Sequence, residues 1–188
     1  MIAAPRQTIV LVEGMSDQAA IETLAARLGR DMTAESVTVV PMGGATNIGK
    51  FVERFGPRGL NLRLAGLCDL AEEHLLQRGL ERGGIGANLT RSDMERFGFF
   101  VCVVDLEDEL IRAVGTDALE RIIEVEGEMR SFRTFQNQPA QRDRPMEHQL
   151  HRFMGTRGGR KIRYAQLLVE ALDLGRVPRP LNELLAAI

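Results

Sequence analysis

The sequence predicts an α/β domain, a mostly parallel sheet with helices on both faces, continued by a helical segment. Three observations carry this. Short, continuously apolar runs recur at 8–12, 37–40, 63–67 and 99–104, the pattern of strands buried on both faces. Segments of helical periodicity stand between them, as crossover connections require. The chain has 188 residues, 44% hydrophobic and 27% charged, the size of one domain that buries roughly 70% of its unfolded surface.

In chain order, the β-branched run Thr8–Val12 is the first strand. A helix over Ser16–Leu28 follows, placing Ala20, Ile21, Leu24 and Leu28 on one face, with Ser16 as N-cap and Gly29 as stop. Val37–Val40 reads as a strand, Asn47–Arg54 as a short helix, Arg63–Leu67 as a strand and Leu70–Arg78 as a helix. Gly79–Ser92 is rich in glycine and polar residues and reads as a mobile excursion. Phe99–Val104 is the most apolar strand, and the helix Asp105–Val114 ends before Gly115. Beyond residue 116 the helices Asp117–Val125, Met146–Phe153 and Arg160–Leu172 are separated by breaks containing Pro and Gly. In the last, Ile162, Ala165, Leu168, Val169 and Leu172 form the buried stripe. The expected organisation is a single domain over 1–188, with an α/β core at 1–115 and a helical basic extension at 116–188.

Composition excludes several classes. No apolar run approaches the roughly 18 residues of a membrane span. The start, MIAAPRQTIVLVEG, lacks the basic region and apolar core of a secretory signal, so a cytoplasmic protein without membrane contact is expected. Cys68 and Cys102 each lie in an apolar stretch and read as buried free thiols; two cysteines build no disulfide framework and no four-cysteine zinc site. Lys50 and Lys161 are the only lysines. The net charge of −2 hides an asymmetry: residues 1–129 carry 13 basic and 21 acidic side chains, residues 130–179 carry 11 basic and 4 acidic. Solvated helix faces would account for this, and so would a surface for a polyanion. Phe132, Phe135, Phe153 and Tyr164, interleaved with the arginines, tilt the reading toward the polyanion.

The chemical signal lies where acids meet strand ends. Glu13 follows the first strand directly, Gly14 allows a turn, and Asp17 opens the helix. Asp69 follows the third strand with Glu72 and Glu73 a turn on, and Asp105 follows the fourth with Glu107 two residues later. In an open parallel sheet the carboxyl ends of neighbouring strands line one crevice. Carboxylates gathered there repel one another unless cations compensate. Hard oxygen donors favour one or two Mg²⁺ or Mn²⁺ ions, which activate water and stabilise a leaving oxygen in phosphodiester cleavage. Acidic helix N-termini are the favoured account of Glu72, Glu73, Asp108 and Glu109. That account fits Glu13 poorly, because a carboxylate at a strand end before glycine gains nothing from a helix.

The motifs VEGMSD at 12–17, the strand-end Asp69, VDLEDEL at 104–110 and RKIRYAQLL near the C-terminus resemble the TOPRIM fold, in the variety found in the nuclease half of OLD (overcoming lysogenization defect) family endonucleases. The resemblance spans most of the chain. It implies a TOPRIM-like, Rossmann-type sheet and assigns Glu13 and Asp17 to the family's paired acids, Asp69 to its central aspartate and Asp105 with Glu107 to its later acidic pair. Lys161 matches the lysine held to stabilise charge at the scissile phosphate. Many TOPRIM proteins carry Asp-x-Asp at the central strand end; here the second place is Ala71 and the nearest acids are Glu72 and Glu73. Full OLD proteins also carry an ABC-type ATPase domain, for which 188 residues leave no room; such an ATPase is absent or on a separate chain.

Two rival signals are weaker. Gly44 through Lys50, reading GATNIGK, nearly satisfies a P-loop, yet Phe51 stands where the Mg²⁺-binding hydroxyl belongs. His148 and His151 have metal-compatible spacing but no third ligand nearby in sequence, so a solvated helix face suffices. Tyr164, the only tyrosine, lies in an amphipathic helix, which disfavours a topoisomerase-like covalent tyrosine. The expected function is a Mg²⁺- or Mn²⁺-dependent DNA endonuclease or nickase. Glu13, Asp69, Asp105 and Lys161 are its catalytic residues; Glu13, Asp17, Asp69, Asp105 and Glu107 hold the metal. The alternatives are a nucleic-acid-binding or regulatory subunit of a separate ABC ATPase, and a nuclease of structured RNA.

Overall fold

The computed structural model describes residues 7–188. Four parallel strands, β1 (Thr8–Val12), β2 (Val37–Pro41), β3 (Arg63–Asp69) and β4 (Phe99–Cys102), form one sheet in the order β2-β1-β3-β4. The expected parallel sheet with helices on both faces is thus borne out. Strand periodicity divides the core into two layers. Ile9, Leu11, Leu64, Cys68 and Phe99 face α2 (Ile48–Phe55), α3 (Glu73–Arg82) and α4 (Arg91–Arg96) through Val52, Leu80 and Met94. Val10, Val12, Ala65, Leu67 and Phe100 face the opposite layer. That layer is built from α1 (Met15–Arg27), α5 (Leu106–Val114), α6 (Thr116–Val125), α7 (Met129–Gln136), α8 (Met146–Met154), α9 (Arg160–Ala171) and α10 (Arg179–Ala187). Gly66 allows the close pairing of β3 with β1: a Cβ there would lie 2.5 Å from the Leu11 carbonyl oxygen and 3.1 Å from the Phe99 ring.

The helical segment is structurally integral. Helix α9 packs along α1, and α10 packs against β3 and β4. Arginines of the first third cap these late helices: Arg27 donates to the carbonyls of Val169 and Leu172 at 2.7 and 2.6 Å, and Arg30 to that of Ile188 at 2.9 Å. Cations at helix C-termini satisfy carbonyls that lack intrahelical partners and complement the dipole.

Several expectations are corrected. The cap of α1 is Gly14 with the Asp17 carboxylate, not Ser16, which is buried. Strand β4 stops at Cys102, because Val103 and Val104 turn outward and are 60% and 54% exposed. The stretch 79–92 is no excursion. Helix α3 continues to Arg82, and Leu89 is buried with both its backbone groups bonded, to Glu81 at 2.8 Å and Gln77 at 2.9 Å. Thr90 and Asp93 then form a reciprocal capping box that starts α4. Helices α4, α7 and α10 add to those read from periodicity.

The basic segment also reads differently in three dimensions. Phe132, Phe135, Phe153 and Tyr164 are all buried, so none offers a ring for stacking on a base. Much of the arginine charge is internally paired: Arg133 with Glu120 at 3.1 Å, Arg163 with Glu126 at 3.0 Å and Arg160 with Glu128 at 2.8 Å. Arg160 is buried, stacks 4.1 Å from the Phe153 ring centroid and donates to the Phe153 carbonyl at 3.1 Å. Tyr164 donates to the same Glu128 at 2.9 Å. Hydrogen bonds from Arg160 first, outweighing burial, hold the Glu128 carboxyl below its ordinary range. Cys68 and Cys102 are free and buried as expected, and burial pushes the Cys68 thiol up to about 12. Among the described residues no helix is long and apolar enough to cross a membrane.

Candidate metal centre

Each acid reaches the carboxyl edge of the sheet by a local device. Glu13 leaves β1 directly, and its carbonyl accepts the N–H groups of Gly43 and Gly44 at 3.0 and 3.1 Å. The glycine turn that resembles a P-loop therefore spends two amides on fixing Glu13 rather than on cradling a phosphate. Lys50, exposed, reaches Asn47 at 3.3 Å. ATP is accordingly expected to bind no better than millimolar, and Lys50→Ala to leave cleavage unchanged; micromolar ATP affinity that disappears in Lys50→Ala, measured by calorimetry, would reverse this ranking.

Asp17 accepts the Gly14 N–H at 2.8 Å, which turns its carboxylate back toward the end of β1. Asp69 ends β3, between the other two acid-bearing strands. Asp105 caps α5 through Oδ1, which accepts the Asp108 N–H at 2.8 Å, leaving Oδ2 free to face His151 Nε2 at 2.6 Å. Glu109, buried, reaches back to the Val103 N–H at 2.9 Å and fixes the turn that presents Asp105. Glu107, in the first turn of α5, is only 2% exposed. Lys161 arrives from a distant part of the chain. Gly159 adopts the left-handed conformation, φ 79°, at the start of α9, and Lys161, the second residue of the helix, meets Glu107 Oε2 at 3.1 Å. A cation at a helix N-terminus is opposed by the dipole, so Glu107 holds it there. Burial would lower the Lys161 pKa, but the Glu107 charge and hydrogen bond outweigh it and raise the value.

The structure thus brings Glu13, Asp17, Asp69, Asp105, Glu107 and Lys161 together. Glu13, Asp17, Asp69 and Lys161 line one cleft of about 350 Å³. The cluster is electrostatically loaded. Burial, then the charges of Asp105, Asp17 and Glu13, push Asp69 up to about 8. Burial, then Glu107, raises Asp17 to about 6, and Glu13 is raised by burial and Glu72. Asp105 is the exception: burial pushes it up, yet hydrogen bonds from His151 and the Asp108 amide outweigh this and lower it. Glu107 Oε1 is buried without a hydrogen-bond partner among the described residues. A buried carboxylate oxygen left bare is costly. Crowded acids, a bare buried oxygen and an all-oxygen group at Glu13, Asp69 and Glu72 fit a hard divalent cation.

Two features lay outside sequence reasoning. Of the two acids following Asp69, Glu72 turns into the cluster, with ligand atoms within 4.8 Å of those of Glu13 and Asp69. Glu73 pairs outward with Arg91 at 2.7 Å. His151 also joins the site, whereas His148 is exposed. The i, i+3 histidine spacing was visible; Asp105, the residue that His151 faces, lies 46 residues away in sequence.

Acids at the carboxyl edge of a parallel sheet, with a lysine supplied from a following helix, define a TOPRIM-type domain. More particularly, its likeness is to the OLD-like kind. Residues 7–70 match the family model described as overcoming lysogenization defect protein-like, TOPRIM domain. Among solved structures, the C-terminal region of the Burkholderia pseudomallei OLD protein superimposes with a TM-score of 0.74 at 23% identity, covering 96% of both chains. The C-terminal region of the Xanthomonas campestris pv. campestris OLD protein gives a TM-score of 0.76 at 25% identity, covering 97% of this chain and 92% of that one. No curated protein matches the sequence. The family match contains Glu13, Asp17 and Asp69; Asp105, Glu107 and Lys161 lie beyond it in sequence and beside it in space.

Proposed function

We propose that this chain is a divalent-metal-dependent phosphodiester hydrolase acting on DNA. The observation that carries the reading is the convergence of acids from three strand ends: those after β1 and β3 line one cleft with Lys161, Asp105 and Glu107 act on Asp69 from beside it, and one Glu107 oxygen is buried without a partner among the described residues. Glu13, Asp69 and Glu72 would hold one ion, Asp105 and Glu107 a second, with Asp17 between them. When bound, such ions lower the pKa of the attacking water and stabilise the leaving oxygen. The protein's own contribution is positional. Asp17 and the Gly43–Gly44 amides fix the end of β1, Glu109 fixes the turn before Asp105, and Lys161 offers a cation to the phosphate as negative charge builds.

The test is nicking of supercoiled plasmid in Mn²⁺, comparing the wild-type protein with Glu13→Ala. Nicking is expected in the first and absent in the second. Equal activity in both would assign the nicking to a contaminant and end the reading.

A path for the nucleic acid backbone is supported by Arg157, which lines both the acidic cleft and an adjoining groove of about 660 Å³. Arg130, Ser131, Thr134 and Gln138 continue that groove, and all four are exposed. Arg157 is 3.5 Å from Glu128 and largely exposed, a pairing that a phosphate can displace. Arg163, held bidentate by Glu126, is committed. Arg130→Ala and Arg157→Ala are therefore expected to weaken DNA binding and lower the salt slope by about one unit each. Turnover at saturating DNA should not change. Fluorescence anisotropy against salt concentration measures both; an unchanged slope in the double variant would place the backbone elsewhere.

A further inference from the structure

We propose that His151 is a metal ligand, so that the subsite it shares with Asp105 and Glu107 takes Mn²⁺ or a similar transition ion in preference to Mg²⁺. This rests on the reading of the acidic cluster as a metal centre and adds the identity of the ion. Three observations support it. The ligating atoms of Asp105, Glu107 and His151 all lie within 4.8 Å of one another. His151 Nε2 already faces the site, 2.6 Å from Asp105 Oδ2, and the helix that carries it is anchored by the buried Leu150, Phe153 and Met154. Glu107, 2% exposed, has Oε1 without a partner among the described residues while Oε2 is taken by Lys161 at 3.1 Å. One buried oxygen of Glu107 is therefore available to an ion.

The two subsites differ in donor chemistry. Glu13, Asp69 and Glu72 present only carboxylate oxygens, which suit Mg²⁺ and Mn²⁺ alike. The second set contains an imidazole nitrogen. Mg²⁺ demands a near-ideal oxygen octahedron and gives up its water reluctantly, whereas first-row transition ions accept imidazole readily. Of the ions that take both carboxylate and nitrogen, Mn²⁺ is the one that also satisfies the all-oxygen set, so a single metal can fill both subsites. With Mg²⁺ the second subsite is the weaker one.

The experiment uses Mn²⁺ alone as probe, on the whole protein and without nucleic acid. Pulsed electron paramagnetic resonance of bound Mn²⁺ should show nitrogen-14 modulation from a directly coordinated imidazole, absent in His151→Gln. Titration followed by the signal of free Mn²⁺ should show one of two sites weakened by roughly ten- to a hundredfold in His151→Gln. Mg²⁺ affinity, from competition, should move less than threefold, and an unchanged first site together with unchanged circular dichroism certifies the variant's fold. Two bound Mn²⁺ ions without nitrogen coupling in the wild-type protein would overturn the assignment of His151 while leaving the metal centre standing. No Mn²⁺ binding at all would overturn both.

Discussion

Asp69→Asn is expected to remove cleavage by roughly a thousandfold and, at the same time, to make the metal-free protein more stable. The first effect follows from its place between the acid-bearing ends of β1 and β4. The second follows from electrostatics. A carboxyl pushed by burial and by four neighbouring acids from 3.8 to about 8 binds a proton more tightly in the folded than in the unfolded chain. Between those values the native state holds more protons, so stability falls as pH rises across the window. Asparagine carries no such charge. The variant should therefore melt at a higher temperature than the wild type at pH 8, and the difference should close toward pH 4. Each 1 kcal/mol of relieved repulsion corresponds to about 2–4 °C in a domain of this size. Scanning calorimetry in a chelator reads it directly. A variant that melts below the wild type at pH 8 would mean that Asp69 serves the fold rather than the site.

Lys161→Ala is expected to lower single-turnover cleavage by roughly a hundredfold with DNA affinity changed less than threefold. Interactions that strengthen only as charge develops affect rate rather than binding, and the exposed Arg130 and Arg157 are placed to carry the binding. Lys161 also has a ground-state partner, the buried Glu107 at 3.1 Å. Its removal leaves that carboxylate uncompensated, so the metal-free variant should lose thermal stability and regain it when Mn²⁺ is added. Lys161→Arg separates the two roles: the charge pair with Glu107 is restored and the melting temperature with it, while a bulkier planar cation restores turnover only in part. Full activity in Lys161→Ala would reduce the lysine to a structural counterion.

The strands and the site were legible to different depths. Strands read well because continuous apolar runs mark burial on both faces, and the alternation of Ile9 and Leu11 against Val10 and Val12 between two core layers is that reading made physical. Acids at strand ends placed Glu13, Asp69 and Asp105 on one edge because a parallel sheet leaves no other arrangement. Charge counting in the C-terminal third could not see that Arg133, Arg160 and Arg163 are answered by Glu120, Glu128 and Glu126. Glycine content misled at 79–92, where tertiary packing of Leu80 and Leu89 outweighs local propensity. The choice of Glu72 over Glu73 and the entry of His151 depend on rotation and distance, which no linear pattern carries.

The dependence of Lys161 on α9 has a consequence for the order in which the working protein comes into being. Translation delivers the carboxylates at 13, 69 and 105 well before the lysine, and domains generally fold as units during or after synthesis. A nascent chain paused after α5 would carry Asp69, Asp105 and Glu107 without the cation that answers Glu107 and without the helix that covers α1. It would hold like charges that repel one another beside apolar surface that α9 has not yet covered. Once α9 docks, the Glu107 pairing, the cover of α1 and the cation beside the phosphate position arrive in a single step. On the proposed function, the fold and the catalytic site are completed together, because a chain lacking α9 lacks the lysine that the reaction is proposed to use.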